Sequence, residues 1–392
     1  MAMTHHDNRP YDVAVSEAAK KFKQRLEERF HASVPRVQQV IAQVQNDVPE
    51  DMIVTGSKVT FEAKENALAI IPPQSEALIL HPHALRQVAE KAKVRNFSTF
   101  VTELKRRGQW GAELIAENLN RIYGHMNGDR YLVRQVRGEV RGFLSDQYRR
   151  LDGHEMLDAF VGAMQQYGAR PIDGFALQTK ISVRCFLPMI FEPFPGEIVA
   201  VGAELTDSDY GDGFLTLNGI LERMWCTNLA TTTDVLKQVH LGKRLPQNIR
   251  LSDETYRLDS KAMASLINDL ASNVLGPGAV NEYLNFIRQA NEQKIDAHAI
   301  TGWIKKNLNK GEGEMVLEKF NSPDVEFLPA GNSSWRWSNA LSWLANETKD
   351  DRRKLELQDA AGVVLQPTKR MAELKAAGPQ VIDAEVVMTN AA

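Results

Sequence analysis

The segment Arg130 to Arg150 carries the densest potential for chemistry in this sequence. Arg130, Arg134, Arg137, Arg141, Arg149 and Arg150 stand there against Glu139 and Asp146. The chain as a whole has a formal charge of -3, so the excess is local. Arg137-Gly138 has the form of a two-residue hairpin turn between β-prone runs. In that register Val136 pairs with Glu139, and Arg134 falls opposite Arg141. Like charges directly opposite each other are unfavourable. An anion bridging the two guanidiniums removes the conflict, and phosphate matches the fork geometry of arginine. Tyr148 can stack on a base or pack in the core. Lys180 and Arg184 share one face of a later strand by parity. These nine residues form the candidate nucleic-acid surface: Arg130, Arg134, Arg137, Arg141, Tyr148, Arg149, Arg150, Lys180 and Arg184. A solvated sheet face with acidic partners is the alternative.

A second cluster is acidic. Asp207, Asp209 and Asp212 lie in one loop, with Glu204 just before it. Clustered carboxylates suit a divalent cation, but the spacing is not that of an EF-hand. A turn rich in Asp and Gly explains the same residues. His81-Pro82-His83 lacks a third ligand at metal-site spacing and fits the start of a helix. Cys226, beside Trp225, has no assignable His–Asp pair and fits a structural thiol. Trp335, Trp337 and Trp343 either stack on bases or pack. Trp337, Ala340, Leu341 and Leu344 at helical spacing favour packing.

The common catalytic signatures are missing. There is no G-x-x-x-x-G-K-[ST], no G-x-G-x-x-G after a strand, and no G-x-S-x-G, H-E-x-x-H or C-x-x-C. Walker-type nucleotide binding, a Rossmann site and the commonest hydrolase and zinc sites lose support. No catalytic residue, metal ligand or cofactor is assigned.

The elements that must position these residues follow from periodicity. A helical pattern runs from Ser16 to Val48, with Pro35 expected to break or kink it. Short strands are expected at Met52–Val54, Val59–Phe61 and Ala67–Ile71. Helices are expected at His81–Ala92, Thr99–Arg107 and Gly111–Tyr123. Strands then flank Arg137-Gly138, a helix covers Leu157–Tyr167, and strands follow at Lys180–Phe186, Glu197–Leu205 and Phe214–Cys226. Pro188, Pro193 and Pro195 interrupt the connection after Phe186. A helix is expected at Thr231–His240, and further helices at Ser260–Asn273, Ala279–Ala290, Ala297–Asn309 and Trp337–Glu347. The fold class is α+β, with a central mixed or antiparallel sheet flanked by N-terminal and C-terminal helical regions. Boundaries are expected at 128/129 (after a helical region with a short hairpin), at 245/246, and at 348/349, before a charged flexible tail.

The 392 residues contain 25% charged residues and only two cysteines. That composition argues against wholesale disorder and against a disulfide scaffold. No apolar run is long enough to span a membrane, so a cytoplasmic protein without a membrane partner is expected.

The run Leu144-Ser145-Asp146-Gln147-Tyr148-Arg149-Arg150-Leu151-Asp152 resembles the L-S-D-x-Y-x-x-L-D stretch of the phage/plasmid-like family of unknown function (domain of unknown function 932). Asp207 to Gly213, Leu215 to Ile220, Arg223 and Cys226-Thr227-Asn228 follow the same family's later pattern. Leu229 departs from it where the family often has glycine. The resemblance covers roughly Arg130 to His240. It implies a gene carried on a phage, prophage or plasmid, and no particular reaction. Strand–strand–strand–helix arrangements with a basic face also occur in phage single-strand annealing proteins. The leading expectation is an ATP-independent protein that binds or anneals single-stranded DNA as a homo-oligomer. A metal-dependent nuclease using Glu204, Asp207, Asp209 and Asp212, or a protein–protein module such as a host-defence antagonist, are the rivals.

Overall fold

The computed structural model describes residues 11–224, 226–238, 252–322 and 331–365. The chain has the expected α+β class, built on two sheets. It opens with one continuous helix, α1 (Tyr11–Asn46), that runs through Pro35 without a break. Pro35 is solvent-exposed, so water can satisfy the backbone carbonyl that a proline leaves without its helical donor.

The first sheet holds β1 (Glu50–Thr55), β2 (Thr60–Lys64), β3 (Ala67–Ile71), β4 (Leu78–Leu80), β5 (Arg130–Val136) and β6 (Glu139–Ser145), in the order β1-β5-β6-β4-β3-β2. Only β4 and β6 run parallel. Three helices, α2 (Pro82–Lys91), α3 (Phe97–Lys105) and α4 (Gly108–Gly124), cover one face. Tyr131, Val133 and Phe143 point into that core with Leu85, Ile115 and Tyr123. By strand parity Leu132 and Arg134 lie on the opposite face. Because β1 pairs with β5 along its whole length, the break at Asn127–Asp129 is a loop inside one sheet, not a domain boundary.

The second sheet follows α5 (Gly153–Gln166). It is an antiparallel succession of β7 (Arg170–Ala176), β8 (Ile181–Phe194), β9 (Glu197–Asp207), β10 (Leu215–Arg223) and β11 (Cys226–Gln238). The register of β8 against β9 shifts between Phe186 and Ile190 and again between Phe191 and Phe194. Those irregularities let the strand run through Pro188 and Pro193, where a regular ladder would need N–H donors. The segment expected to form a helix at Thr231–His240 is strand up to Gln238, and its last two residues lie outside the described ones. Its Thr-Thr-Thr-Asp-Val run is β-branched, and pairing with β10 decides the outcome.

Alternate residues of β8 and β9 face opposite ways. Val183, Cys185, Val199, Val201 and Ala203 pack on α5, α6 (Asp253–Leu275) and α7 (Pro277–Glu292). Phe186, Ile198 and Ala200 pack on Phe22, Leu26 and Phe30 of α1. Four further helices form a separate core: α8 (Ala297–Asn307), α9 (Lys310–Asn321), α10 (Ser334–Glu347) and α11 (Asp351–Val363). Trp337, Ala340, Leu341 and Leu344 are buried there, as their spacing demands. The expected flexible tail is therefore helical through Val363, because Leu357, Ala361 and Val364 are buried against α10. Among the described residues no helix is long and apolar enough to cross a membrane.

Two glycines separate sheet constraint from helix propensity. A Cβ on Gly202 in β9 would lie 2.0 Å from the Cys185 carbonyl oxygen, while a Cβ on Gly162 in α5 would meet nothing within 4 Å. Gly202→Ala is expected to destabilise the chain by about 3 kcal/mol or more in urea unfolding. Gly162→Ala is expected to stabilise it by about 0.5–1 kcal/mol. Equal effects of the two would contradict the packing of β8 on β9.

Candidate functional site

The hairpin that carries the arginines has the expected turn. Arg137 and Gly138 both have positive φ, 52° and 82°, which is the backbone of a type I′ turn. Val136 pairs with Glu139. One step further the register slips, and Arg134 lies opposite Gly142 instead of Arg141. Arg141 is the extra residue of a bulge, so the expected like-charge confrontation does not arise.

Arg134 is 1% exposed. Its Nε donates to Asp51 Oδ1 at 2.8 Å, one terminal nitrogen donates to Asp152 Oδ1 at 2.8 Å, and the other donates to the Asp209 carbonyl at 2.9 Å. These partners come from β1, from the residue before α5 and from the loop between β9 and β10. One guanidinium thus ties the first sheet to α5 and to the second sheet. Arg141 donates to Asp47 at 2.9 Å and to Glu139 at 3.3 Å. Arg137 is exposed and reaches the other oxygen of Asp47 at 2.7 Å. Arg149 makes a two-pronged contact with Asp259 of α6, both bonds 2.6 Å. Arg150 lies 3.4 Å from Asp51 and stacks 4.6 Å from the Tyr256 ring centre. Arg130 is 4.0 Å from Asp146. Arg184 donates to Glu204 at 2.8 Å, and Ser182 donates to the same oxygen. Tyr148 is buried, its hydroxyl 3.4 Å from the Ser208 carbonyl, and burial pushes its pKa well up. Lys180 is half-buried. It borders a cavity of about 30 Å³ with Arg141, Asp207 and Asp209. That volume holds about one water molecule, not a phosphate.

The nine residues therefore do not form an open cationic face. All seven arginines have acidic partners, which is the alternative that the sequence left open, drawn inward. The partners are Asp47, Asp51, Asp146, Asp152, Asp259, Glu139 and Glu204. Several are remote in sequence, and no spacing rule points from the hairpin to them.

The acidic loop is also occupied by structure. Asp209 accepts the backbone N–H of Gly153 at 2.8 Å, a donor at the start of α5 that has no partner within its own helix. Gly153 permits this approach: a Cβ there would sit 3.1–3.4 Å from the Asp209 and Asp207 carboxylates. Burial first, then the Asp207 charge, push the Asp209 carboxyl up to about 7, against the pull of Arg134. Asp212 accepts from Thr179 at 2.7 Å and lies 3.5 Å from His83 and 3.6 Å from Arg86. Among the described residues, no three His, Cys, Asp or Glu are placed to hold a metal ion. His81 starts α2 by accepting from the His83 N–H. Trp335 and Trp337 are buried, and the Lys319 ammonium stands 4.7 Å from the Trp343 ring. The side chain of Cys226 lies outside the described ones.

A different surface has the composition that the hairpin lacks. Lys91 to Trp110 holds Lys91, Lys93, Arg95, Lys105, Arg106 and Arg107 against Glu103 alone. α3 turns into α4 through Gly108, whose φ is +65°, and Gly111 packs against the Leu104 carbonyl. Trp110 is 60% exposed and Phe100 41% exposed on these two helices. Lys93 reaches Asp129 at 2.7 Å, and Arg106 reaches Glu103 at 3.4 Å. Among the described residues, Arg95, Lys105 and Arg107 have no acidic partner. The charge count over this run was readable from the sequence. The exposure of Trp110 was not, because a tryptophan next to the buried Gly111 and Ala112 fits the core face of a helix as well as its solvent face.

Comparison with known proteins finds no matching family model, no matching curated protein and no matching solved structure.

Two outcomes test this assignment of the charges. Arg134→Met is expected to lower the unfolding free energy by about 1.5–3 kcal/mol, since it removes the charge-assisted hydrogen bonds to the partly exposed Asp51 and Asp152. Arg137→Ala, at an exposed pair, is expected to change it by less than about 1 kcal/mol. The Asp209 carboxyl lies above its unfolded value, so the folded chain holds a proton that the unfolded chain releases from about pH 4 upward. Stability from this group falls as pH rises towards about 7. The stability of Asp209→Asn relative to wild type should therefore rise across that window, measured by urea unfolding at each pH. A difference that stays flat with pH would show that Asp209 is ionised throughout.

Proposed function

We propose that this chain binds single-stranded nucleic acid without ATP, and that the α3–α4 corner makes the contact. The observation that carries the reading is that Trp110 and Phe100 are exposed on the two packed helices whose ends and connection carry the exposed Arg95, Lys105 and Arg107. Single strands are held by aromatic rings that stack on bases and by cations that follow the phosphates. Duplex DNA buries its base faces and offers no ring to stack on. The corner supplies both parts on two packed helices, and its cations stand in solvent. The arginine hairpin supplies neither: its charges are matched by carboxylates, and Tyr148 is buried.

The resemblance of Leu144–Asp152 to the phage/plasmid-like family supports a role in the DNA metabolism of a mobile element, such as annealing. A homo-oligomer and a cytoplasmic setting belong to the same proposal. The nuclease alternative is less favoured, because Glu204, Asp209 and Asp212 are each engaged by separate donors. A protein-contact role for the same corner is the remaining rival.

Fluorescence anisotropy with a labelled single-stranded oligonucleotide tests the reading. Binding is expected to weaken steeply with salt. Trp110→Ala should weaken it about 5–150-fold, from about 1–3 kcal/mol of stacking per base. Replacing Lys105, Arg106 and Arg107 with Gln should flatten the salt slope by about two to three charges. Absence of binding at low salt, or wild-type affinity in both variants, overturns the proposal and leaves the corner as a protein-contact surface.

A further inference from the structure

A cavity of about 220 Å³ lies between the first sheet and helices α2 and α4. Leu68, Leu80, Leu85 and Ile115 form its wall, each nearly or fully buried. Ala112 of α4 stands among them. Lys105 and Asn66 are both exposed and border the cavity, so it opens to solvent beside them. Glu139 also borders it, but its carboxylate is held by Arg141 at 3.3 Å and by Gln178 at 3.1 Å. Lys105 ends α3 and has no acidic partner among the described residues.

An apolar cavity of about 150 Å³ is enough for a benzene molecule. This one has room for roughly ten heavy atoms by the same scale. Among the described residues, none of the buried side-chain polar atoms that lack a hydrogen-bond partner lies on its wall. Apart from Asn66, Lys105 and Glu139, the side chains that line it carry no donor or acceptor, and they suit hydrocarbon. The lone cation at the opening suits an anion.

We propose that this cavity binds a small amphiphilic carboxylate, with the alkyl chain between α4 and β4 and the carboxylate on the Lys105 ammonium. The site shares Lys105 with the α3–α4 corner, but its apolar wall takes no part in stacking, so binding here is read without nucleic acid. A longer chain exceeds the volume, and a more polar one leaves the apolar wall unfilled.

Calorimetric titration of the full chain with hexanoate and with 1-hexanol is the test. Hexanoate should bind saturably, with a Kd of about 1 mM or tighter, and more tightly than hexanol. Lys105→Gln should weaken hexanoate at least about fivefold and leave hexanol unchanged. Ala112→Leu should remove both by filling the space, with the circular dichroism spectrum unchanged. Should Ala112→Leu fail to fold, the Lys105→Gln comparison still decides, because Lys105 is exposed. No saturable binding of hexanoate, hexanoate no tighter than hexanol, or equal affinity in Lys105→Gln overturns the proposal.

Discussion

The buried guanidinium of Arg134 is the constraint around which the two sheets are arranged. A cation taken out of water is tolerated only where its donors and its charge are matched. Arg134 meets that demand with two carboxylates and a carbonyl drawn from three separate elements. Each partner is fixed in turn. Asp51 sits in β1, whose register against β5 places it opposite Arg134 itself. Asp152 stands at the start of α5, and the first N–H of α5 is taken by Asp209. A shift of any of these elements would strand a charge. The interaction therefore says less about net stability than about relative position, since a buried ion pair is weak evidence for stabilisation and strong evidence for a fixed geometry.

The same principle decides which basic stretch is available to a partner. Six cations in twenty-one residues look alike in sequence whether they face carboxylates or solvent. From β5 to Arg150 they face Asp47, Asp51, Asp152 and Asp259, which arrive from the residue after α1, from β1, from the start of α5 and from α6. Their field beyond the pair is small. Between Lys91 and Trp110 the cations meet solvent and Glu103 as the run's one acid, with Glu113 and Glu117 further along α4, so the field is less fully cancelled there. An exposed tryptophan there is also informative, because large aromatic side chains normally bury most of their area. Arg137 belongs by exposure with the second group and by pairing with the first, and Asp47 alone makes that difference.

What was legible in the sequence was local. The turn at Arg137-Gly138, the pairing of Val136 with Glu139, the helix start at His81 and the buried face of α10 each depend on a few neighbouring residues. The slip at Arg134 is not legible in the sequence, because its partners Asp51, Asp152 and the Asp209 carbonyl come from other elements and nothing in the hairpin's own residues points to them. β11 was read as a helix because threonines can cap as well as extend. Its partner β10 lies just before it, but pairing strength has no signature in a single strand. The prolines of β8 look like an interruption in sequence, whereas bulges absorb them. In each case the local pattern allowed two structures and a tertiary partner chose one.

The acidic loop shows how that choice can turn a metal-like pattern into a joint. Asp207, Asp209 and Asp212 have the composition of a cation site, and clustered carboxylates repel unless something positive or a proton lies among them. Here Arg134 supplies charge from below, the start of α5 supplies an N–H, and Thr179 supplies a hydroxyl. Asp209 lies where solvation is lost and Asp207 is close, so a proton replaces the missing countercharge. Asp209 and Asp212 thus answer to different elements, and the loop cannot converge on one ion without releasing α5 or the β7–β8 turn. The loop is a joint between the two sheets, and its carboxylates are fixed by the same requirement that buries Arg134.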